Sequence, residues 1–196
     1  MRRILYFVHT TADGRMATGD GGLWQRFAWG DAEMGLANGI YRDADTWVLG
    51  RRMYESLVPW WDAVAAGRSA GGDARLTANE REFARLLAGM TKIVLSTRLA
   101  PSAANTRVVR DDPAAWLETA KQQPGREMLL SCGPDLLGRL SAHRGLIDEF
   151  YLVLHPVLLG RGKPLLRTSG AEVPLDFLEA RPLPAGALLL QARARG

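Results

Sequence analysis

Residues 128–140, MLLSCGPDLLGRL, combine an apolar run, a glycine and a helical pattern in an order suited to phosphate binding. The run MLLS is typical of a strand, Cys132-Gly133-Pro134 interrupts it, and apolar residues then recur at helical spacing. Such a turn exposes unpaired backbone N–H groups and the positive end of a helix dipole. Gly133 would let a pyrophosphate approach the backbone, and Pro134 suits a first helical turn. The alternative is an ordinary strand-turn-helix corner without a ligand.

The same order occurs at residues 46–57, where the strand pattern TWVL is followed by Gly50 and then by the helical pattern RRMYESL. Arg51 and Arg52 fall in the first helical turn, where their side chains can reach a phosphate. The alternative is a solvated helix start. Cations at this position oppose the helix dipole, so an anionic partner explains them better.

Size and composition limit the possible classes of protein. With 196 residues, 47% of them apolar, we expect a single domain spanning residues 1–196. The net charge is +4, but the arginines are scattered along the chain, which favours small anionic molecules over nucleic acid as partners. Cys132 is the single cysteine, so an intramolecular disulfide and a thiolate metal cluster are excluded, and we expect no metal. No apolar run reaches the ~18 residues that span a membrane, and we expect a cytoplasmic protein.

Strand and helix patterns alternate along most of the chain. Strands are predicted at 4–8, 46–49, 92–96, 106–110, 128–131, 146–154, 173–180 and 187–192, and helices at 31–41, 50–57, 77–90, 113–122 and 135–140. Residues 10–22 and 59–73 are predicted as loops, and Asp31 as the N-cap of the first helix. This order predicts an α/β fold whose sheet is mostly parallel with an antiparallel C-terminal edge. Ligands gather at the carboxyl ends of such strands, where Gly50, Ser96 and Gly133 are expected.

Several motifs occur together in one order and spacing. They are Asp13-Gly14, LGRRMYES at 49–56, KIVLST at 92–97, the strand-glycine-helix at 129–137, and GLIDEFYLVLHPVLLGRGKPLL at 145–166. With these motifs the chain resembles the dihydrofolate reductase-like superfamily and, within it, the bacterial riboflavin-reductase (RibD) C-terminal-domain group. The resemblance implies a dihydrofolate reductase-like three-layer fold, a link to riboflavin biosynthesis, and an oxidoreductase that uses NADPH.

The resemblance also assigns cofactor residues. Gly50, Arg51 and Arg52 match positions that receive the phosphates of NADPH, and the turn that cradles the pyrophosphate matches Gly133, Pro134, Asp135 and Leu136. The segment that holds the adenosine-side 2′-phosphate matches Ser96, Thr97 and Arg98. Cys132 stands where the family usually has a first glycine.

The reaction implied by the resemblance is hydride transfer from the nicotinamide to a small planar heterocycle, pterin-like (dihydrofolate-like) or 5-amino-6-ribosylamino-uracil-like. Candidates for the acid that adds the proton are Asp13 and Glu33. Asp31 is the alternative to Glu33, which is favoured because a buried carboxylate near the ring suits proton delivery. Trp24 and Tyr54 are candidates for contacts with the substrate.

Other functions were weighed against the reductase. The chain could be a nucleotide-binding or scaffold protein that keeps the pocket without turnover. GRSAG at 67–71 matches a hydrolase pattern around Ser69, but it lacks the strand before and the helix after that a nucleophile elbow requires. By analogy with the riboflavin-pathway group we expect a homodimer, with the apolar segments 150–154 and 187–190 as its interface.

Overall fold

The computed structural model describes residues 1–17, 27–68, 76–100, 105–166 and 172–195. The strands are β1 (Ile4–Thr11), β2 (Arg15–Ala17), β3 (Ala44–Gly50), β4 (Thr91–Leu95), β5 (Thr106–Val109), β6 (Glu127–Ser131), β7 (Glu149–His155), β8 (Lys163–Pro164), β9 (Leu175–Pro182) and β10 (Leu188–Ala194). The helices are α1 (Asp31–Arg42), α2 (Arg51–Ala65), α3 (Ala78–Gly89), α4 (Pro113–Lys121) and α5 (Pro134–Ser141). Within the described ranges, no helix has the length and apolar character needed to cross a bilayer.

Eight strands form one sheet in the order β5-β4-β3-β6-β1-β7-β10-β9. The strands from β5 to β7 pair in parallel, whereas β10 pairs antiparallel with both β7 and β9. Strands β2 and β8 form a separate antiparallel pair. The predicted mostly parallel sheet with an antiparallel C-terminal edge is therefore confirmed.

Alternation along each strand divides the core between the two faces of the sheet. From β1, Leu5 and Phe7 pack with residues of α1, α2 and α3, whereas Ile4, Tyr6 and Val8 pack with residues of α4 and α5. Each face is thus covered by helices, as a parallel sheet requires. The arrangement confirms the predicted three-layer α/β fold.

Helix α2 is longer than its sequence predicts. The sequence predicts a helix over residues 50–57, whereas α2 continues through Pro59 to Ala65. Proline removes one N–H and costs roughly 3 kcal/mol in a helix interior. Val58, Trp61 and Val64 recur at helical spacing and are all buried, so their burial accounts for the continuation.

Two further boundaries differ from the prediction. The N-cap of α1 is Gly30, and Asp31 is the first helical residue, so the predicted N-cap role of Asp31 is wrong. Instead, the Asp31 carboxylate accepts a hydrogen bond from Asn79 Nδ2 at 2.9 Å. Strand β1 continues to Thr11, beyond the predicted end at residue 8, because it pairs with β7 up to the Thr11 and His155 pair.

The antiparallel edge bears on the expected interface between subunits. Strands β7 and β10, which hold the segments 150–154 and 187–190, lie inside the sheet, and β9 is its outer strand. On β9, Phe177 is 65% exposed and Leu178 is 47% exposed. The exposed apolar side chains of this edge therefore belong to β9, a strand that the sequence prediction did not include in the interface.

Candidate functional site

Three chain reversals meet at the carboxyl edge of the parallel strands. Strands β4, β3 and β6 are direct neighbours, and in their registers Gly50 pairs with Leu95 while Leu49 pairs with Ser131. The turns that follow these strands therefore leave the sheet at the same level. The structure thus brings together the predicted segments 50–52, 96–98 and 133–136.

Two of these turns are in close contact. A Cβ atom placed on Gly50 would lie 3.6 Å from the Cβ of Cys132 and 3.7 Å from Cδ2 of Leu136. By contrast, a Cβ placed on Gly133 would meet no heavy atom within 4 Å. The start of α2 therefore packs on the start of α5, with open space beside Gly133.

Two of the helices that begin at this edge, α2 and α5, differ from α3 and α4 in how they are capped. Thr77 accepts a hydrogen bond from the N–H of Glu80 at the start of α3, and Asp112 accepts from two N–H groups at the start of α4. The N-caps of α2 and α5 are Gly50 and Gly133, which have no side chain to accept an amide. First-turn amides and the positive dipole ends of both helices are thus directed to the carboxyl edge.

The turn after β4 is held by hydrogen bonds of its own. Ser96 Oγ accepts from the N–H groups of Arg98 at 3.1 Å and Leu99 at 3.2 Å. Arg110, which follows β5, donates to the carbonyl oxygens of Thr97 at 2.6 Å and Leu99 at 2.9 Å. Thr97, Arg98 and Arg110 are exposed. Sequence reasoning missed Arg110, although its place directly after the neighbouring strand was a usable signal.

Arginines give this edge a positive charge. Arg51 donates to the Glu55 carboxylate one turn further along α2, at 2.7 and 2.9 Å, and Arg52 is exposed. An exposed pair of this kind contributes little to stability, so Arg51 can exchange its partner at small cost. In α5, Asp135 is exposed and Leu136 packs against Gly50.

A cavity of about 650 Å³ lies between the sheet and the helices α1, α2 and α3. Its described wall contains eight aromatic side chains and three methionines, Met16, Met34 and Met53. The aromatic side chains are Phe7, Phe27, Trp29, Tyr41, Trp47, Trp60, Trp61 and Phe83. Ser131 and Cys132, which immediately precede Gly133, also line it, so the cavity reaches the turn at the carboxyl edge. A cavity of this size and composition suits a planar ring.

A pair of histidines lies beside this cavity. Nδ1 of His9 and Nε2 of His155 are 2.9 Å apart, and Phe27 stacks on His155 with ring centroids 3.9 Å apart and an interplanar angle of 9°. Trp29 meets His9 edge-on at 4.4 Å. Burial and the neighbouring His155 lower the pKa of His9 to about 3, and burial lowers the pKa of His155 to about 4. Both rings are therefore neutral at neutral pH, and His9 itself lines the cavity.

Sequence reasoning did not single out this pair. The predicted first strand ends at residue 8, immediately before His9, and His155 lies within the long motif at 145–166. The two histidines come together because β1 and β7, far apart in sequence, are neighbours in the sheet.

Asp13 lies in the turn between β1 and β2 and does not appear in the described lining of the cavity. Its carboxylate accepts from Thr11 Oγ1 at 2.5 Å and from the N–H groups of Leu159 at 3.2 Å and Gly160 at 2.8 Å. These hydrogen bonds, that from Thr11 foremost, lower the pKa of Asp13 to about 2. Asp13 is thus an ionised anchor between two loops, which differs from the predicted role of a proton donor.

Glu33 is buried, as predicted, but its carboxylate is engaged elsewhere. One oxygen accepts from the N–H of Gly30 at 2.9 Å and the other from the N–H of Ala185 at 2.7 Å. The residue does not appear in the described lining of the cavity. Its contacts join the start of α1 to the turn between β9 and β10, and they account for its burial without a catalytic role.

Of the two residues predicted to contact the substrate, the structure describes Tyr54 but not Trp24. Tyr54 is buried in the core between α2 and the sheet, while its neighbours Met53 and Leu57 line the cavity. Trp24, and also Ser69 of the rejected hydrolase pattern, lie outside the described residues.

The chain was compared with known proteins. The family model described as the RibD C-terminal domain matches residues 2–189. The uncharacterized protein YyaP of Bacillus subtilis (strain 168) is 25% identical over 186 residues, which cover 94% of this chain and 91% of that protein.

Solved structures share the fold at low sequence identity. A putative riboflavin biosynthesis protein from Shewanella sp. PV-4 superimposes with a TM-score of 0.70 at 15% identity, covering 99% of both chains. Dihydrofolate reductase from Enterococcus faecalis, complexed with NADP(H) and RAB-propyl, has a TM-score of 0.62 at 13% identity, and the match covers 99% of this chain and 97% of that one. These likenesses confirm the dihydrofolate reductase-like fold.

Proposed function

Since the chain belongs to the RibD C-terminal domain family, we propose that it is an NADPH-dependent reductase that transfers a hydride to a small planar heterocycle. Pterin-like and 5-amino-6-ribosylamino-uracil-like compounds are the first candidates for the substrate. The observation that carries this proposal is continuity between two sites. The aromatic cavity shares Ser131 and Cys132 with the strand and turn that lead into the start of α5.

The residues of the carboxyl edge fit a doubly phosphorylated dinucleotide. Gly50, Arg51 and Arg52 would bind its phosphates at the start of α2, and residues 133–136 would bind them at the start of α5. The open space beside Gly133 is what a closely approaching pyrophosphate needs. Ser96, Thr97 and Arg98 would receive the 2′-phosphate on a turn that Arg110 holds in place.

NADPH, when bound, supplies the hydride. The aromatic wall orients the acceptor ring by stacking and excludes water from it. His9 lines the cavity and is neutral at neutral pH, so it adds no charge there, and its hydrogen bond with His155 fixes the ring. Because backbone amides engage Asp13 and Glu33, and neither residue is in the described lining of the cavity, we propose that the proton comes from a water molecule.

Fluorescence titration with NADPH tests the cofactor, and oxidation of NADPH in the presence of pterins and aminouracils tests turnover. We expect saturable binding at or below about 100 μM, since KM values generally lie below about 1 mM. Binding together with substrate-dependent oxidation supports the reductase. Binding without oxidation across the panel would instead favour a nucleotide-binding protein that keeps the pocket without turnover. Absence of binding at about 100 μM would overturn the proposal.

We further propose that the chain forms a homodimer. Support comes from Phe177 and Leu178, large apolar side chains exposed on the outer strand β9. Sedimentation velocity should show a dimer that Phe177→Lys converts to a monomer, and a monomeric parent protein would contradict this. The cytoplasmic location expected from the sequence stays a prediction.

A further inference from the structure

The described wall of the aromatic cavity carries a negative charge. Among the described residues that line it, Glu80 is the one charged side chain, and it is negative. The arginines of the carboxyl edge, such as Arg51 and Arg98, are not in that described lining. A ligand in the cavity therefore meets a carboxylate, whereas the phosphates of a dinucleotide meet the arginines outside it.

Local structure holds the Glu80 carboxylate in place. Glu80 is the third residue of α3, and its Oε2 accepts from the N–H of Thr77 at 2.7 Å. In return, Thr77 Oγ1 accepts from the N–H of Glu80 at 3.1 Å. This reciprocal capping box ties the side chain to the start of the helix, so it does not swing freely into solvent. The negative charge is thus a built-in feature of the cavity.

The other polar groups of the described wall are neutral. His9 is uncharged at neutral pH, and Ser131 Oγ accepts from Trp47 Nε1 at 3.0 Å. Ser56, another polar residue of the wall, donates its hydroxyl to the carbonyl oxygen of Met53. A phosphate ester placed among these groups would lose its hydration shell without gaining a cation, and would be repelled by Glu80. An uncharged or cationic ring with N–H donors incurs neither cost.

We propose that the compound reduced in this cavity is an uncharged or cationic planar heterocycle without a phosphate ester, and that Glu80 sets this preference. The inference rests on the proposed function, because it takes the occupant of the cavity to be the substrate. It narrows the substrate class from heterocycles in general to those whose ring and substituents carry no negative charge.

Two matched pairs of fluorescent ligands test the charge preference in the presence of saturating NADPH. One pair is pterin and 6-carboxypterin, and the other is riboflavin and its 5′-phosphate. The uncharged member of each pair should bind at least roughly tenfold more tightly than the anionic member, which corresponds to a repulsion of about 1.4 kcal/mol between like charges a few ångströms apart. Equal or tighter binding of the anionic members would overturn the inference. So would failure of both uncharged members to bind at about 1 mM.

The variant Glu80→Gln tests whether Glu80 causes the preference for uncharged ligands. Glutamine can keep the capping box, so the fold is retained while the charge is lost, which the midpoint of thermal unfolding verifies. In this variant the ratio of the two affinities should fall toward one, and the affinity for NADPH should not change. Glu82→Gln is the matched control, because Glu82 lies on the same helix, pairs with Arg42 and is not in the described cavity wall. An unchanged ratio in Glu80→Gln would refute the role of Glu80.

The two proposals can fail separately. If the parent protein does not bind NADPH, the proposal that it is a reductase is contradicted. Normal NADPH binding together with a preference for the anionic ligands contradicts the inference about the substrate alone.

Discussion

The variant Gly133→Ala should weaken the binding of NADPH while leaving the fold intact. Gly133 has φ −80° and ψ 173°, a conformation that alanine adopts without strain, and its added methyl group would meet no heavy atom of the protein within 4 Å. The methyl group would instead occupy the open space in front of α5. The substitution thus acts on a ligand that approaches this backbone and hardly on the protein itself.

The expected magnitudes separate these two effects. Alanine is a poorer N-cap than glycine by roughly 0.5–1 kcal/mol, and it restricts the unfolded chain by a similar amount, so the free energy of unfolding should change by less than about 1 kcal/mol. Displacing a phosphate from one charge-assisted hydrogen bond costs about 1.5–3 kcal/mol. The Kd for NADPH should therefore rise roughly tenfold to a hundredfold.

Isothermal titration calorimetry with NADPH measures this effect, and thermal unfolding of the unliganded variant measures stability. Gly39→Ala is the matched control, because Gly39 lies in α1, is exposed, and has no heavy atom within 4 Å of the position of an added Cβ. The control should bind NADPH as the parent protein does. If Gly133→Ala also binds NADPH with the parent's affinity, the start of α5 does not hold the pyrophosphate.

Three other perturbations have defined outcomes. The pKa values of His9 and His155 are lowered to about 3 and about 4, so between pH 6.5 and 4 the unfolded chain binds more protons than the folded chain. The stability of the protein should therefore fall as the pH falls through this range. In the double variant His9→Gln/His155→Gln, the midpoint of thermal unfolding should depend less on pH over the same range. The pKa of Asp13 is lowered to about 2, so its stabilisation is present above the unfolded pKa of 3.8 and lost toward pH 2; Asp13→Asn should lower the unfolding midpoint at neutral pH, and the difference should vanish near pH 2. Arg110→Gln should free the turn after β4 and reduce the preference for NADPH over NADH several-fold in a comparison of Kd values, with Arg107→Gln in the preceding strand β5 as the control.

Local sequence patterns were sufficient where a short segment determines its own structure. The predicted helix starts near residues 77 and 113 agree with the starts of α3 and α4, because both starts depend on hydrogen bonds within one turn, made by Thr77 with Glu80 and by Asp112. Alternation of strands and helices likewise predicted the parallel sheet. The helix predicted over residues 50–57 is too short, because burial of residues further along α2 outweighs the local effect of Pro59.

The candidate site likewise combines features that local sequence determines with features that depend on packing. That glycines at 50 and 133 start helices after strands follows from the sequence, and the resemblance to a family assigned them to a cofactor. The sequence does not determine whether a particular carboxylate faces the cavity. Glu33 is buried as expected, yet backbone amides from Gly30 and from Ala185, distant in sequence, engage both of its oxygens.

The sequence by itself determined the strand-glycine-helix turns, the two arginines after Gly50 and the parallel order of the sheet, because these depend on hydrophobic periodicity and on backbone groups close in sequence. Only the tertiary structure decided that the turn after β4 is held by Arg110, that His9 pairs with His155, and that Glu80 is the carboxylate at the described cavity wall. The physical reason is that these contacts depend on strand order and helix packing, which bring together side chains that no local pattern relates.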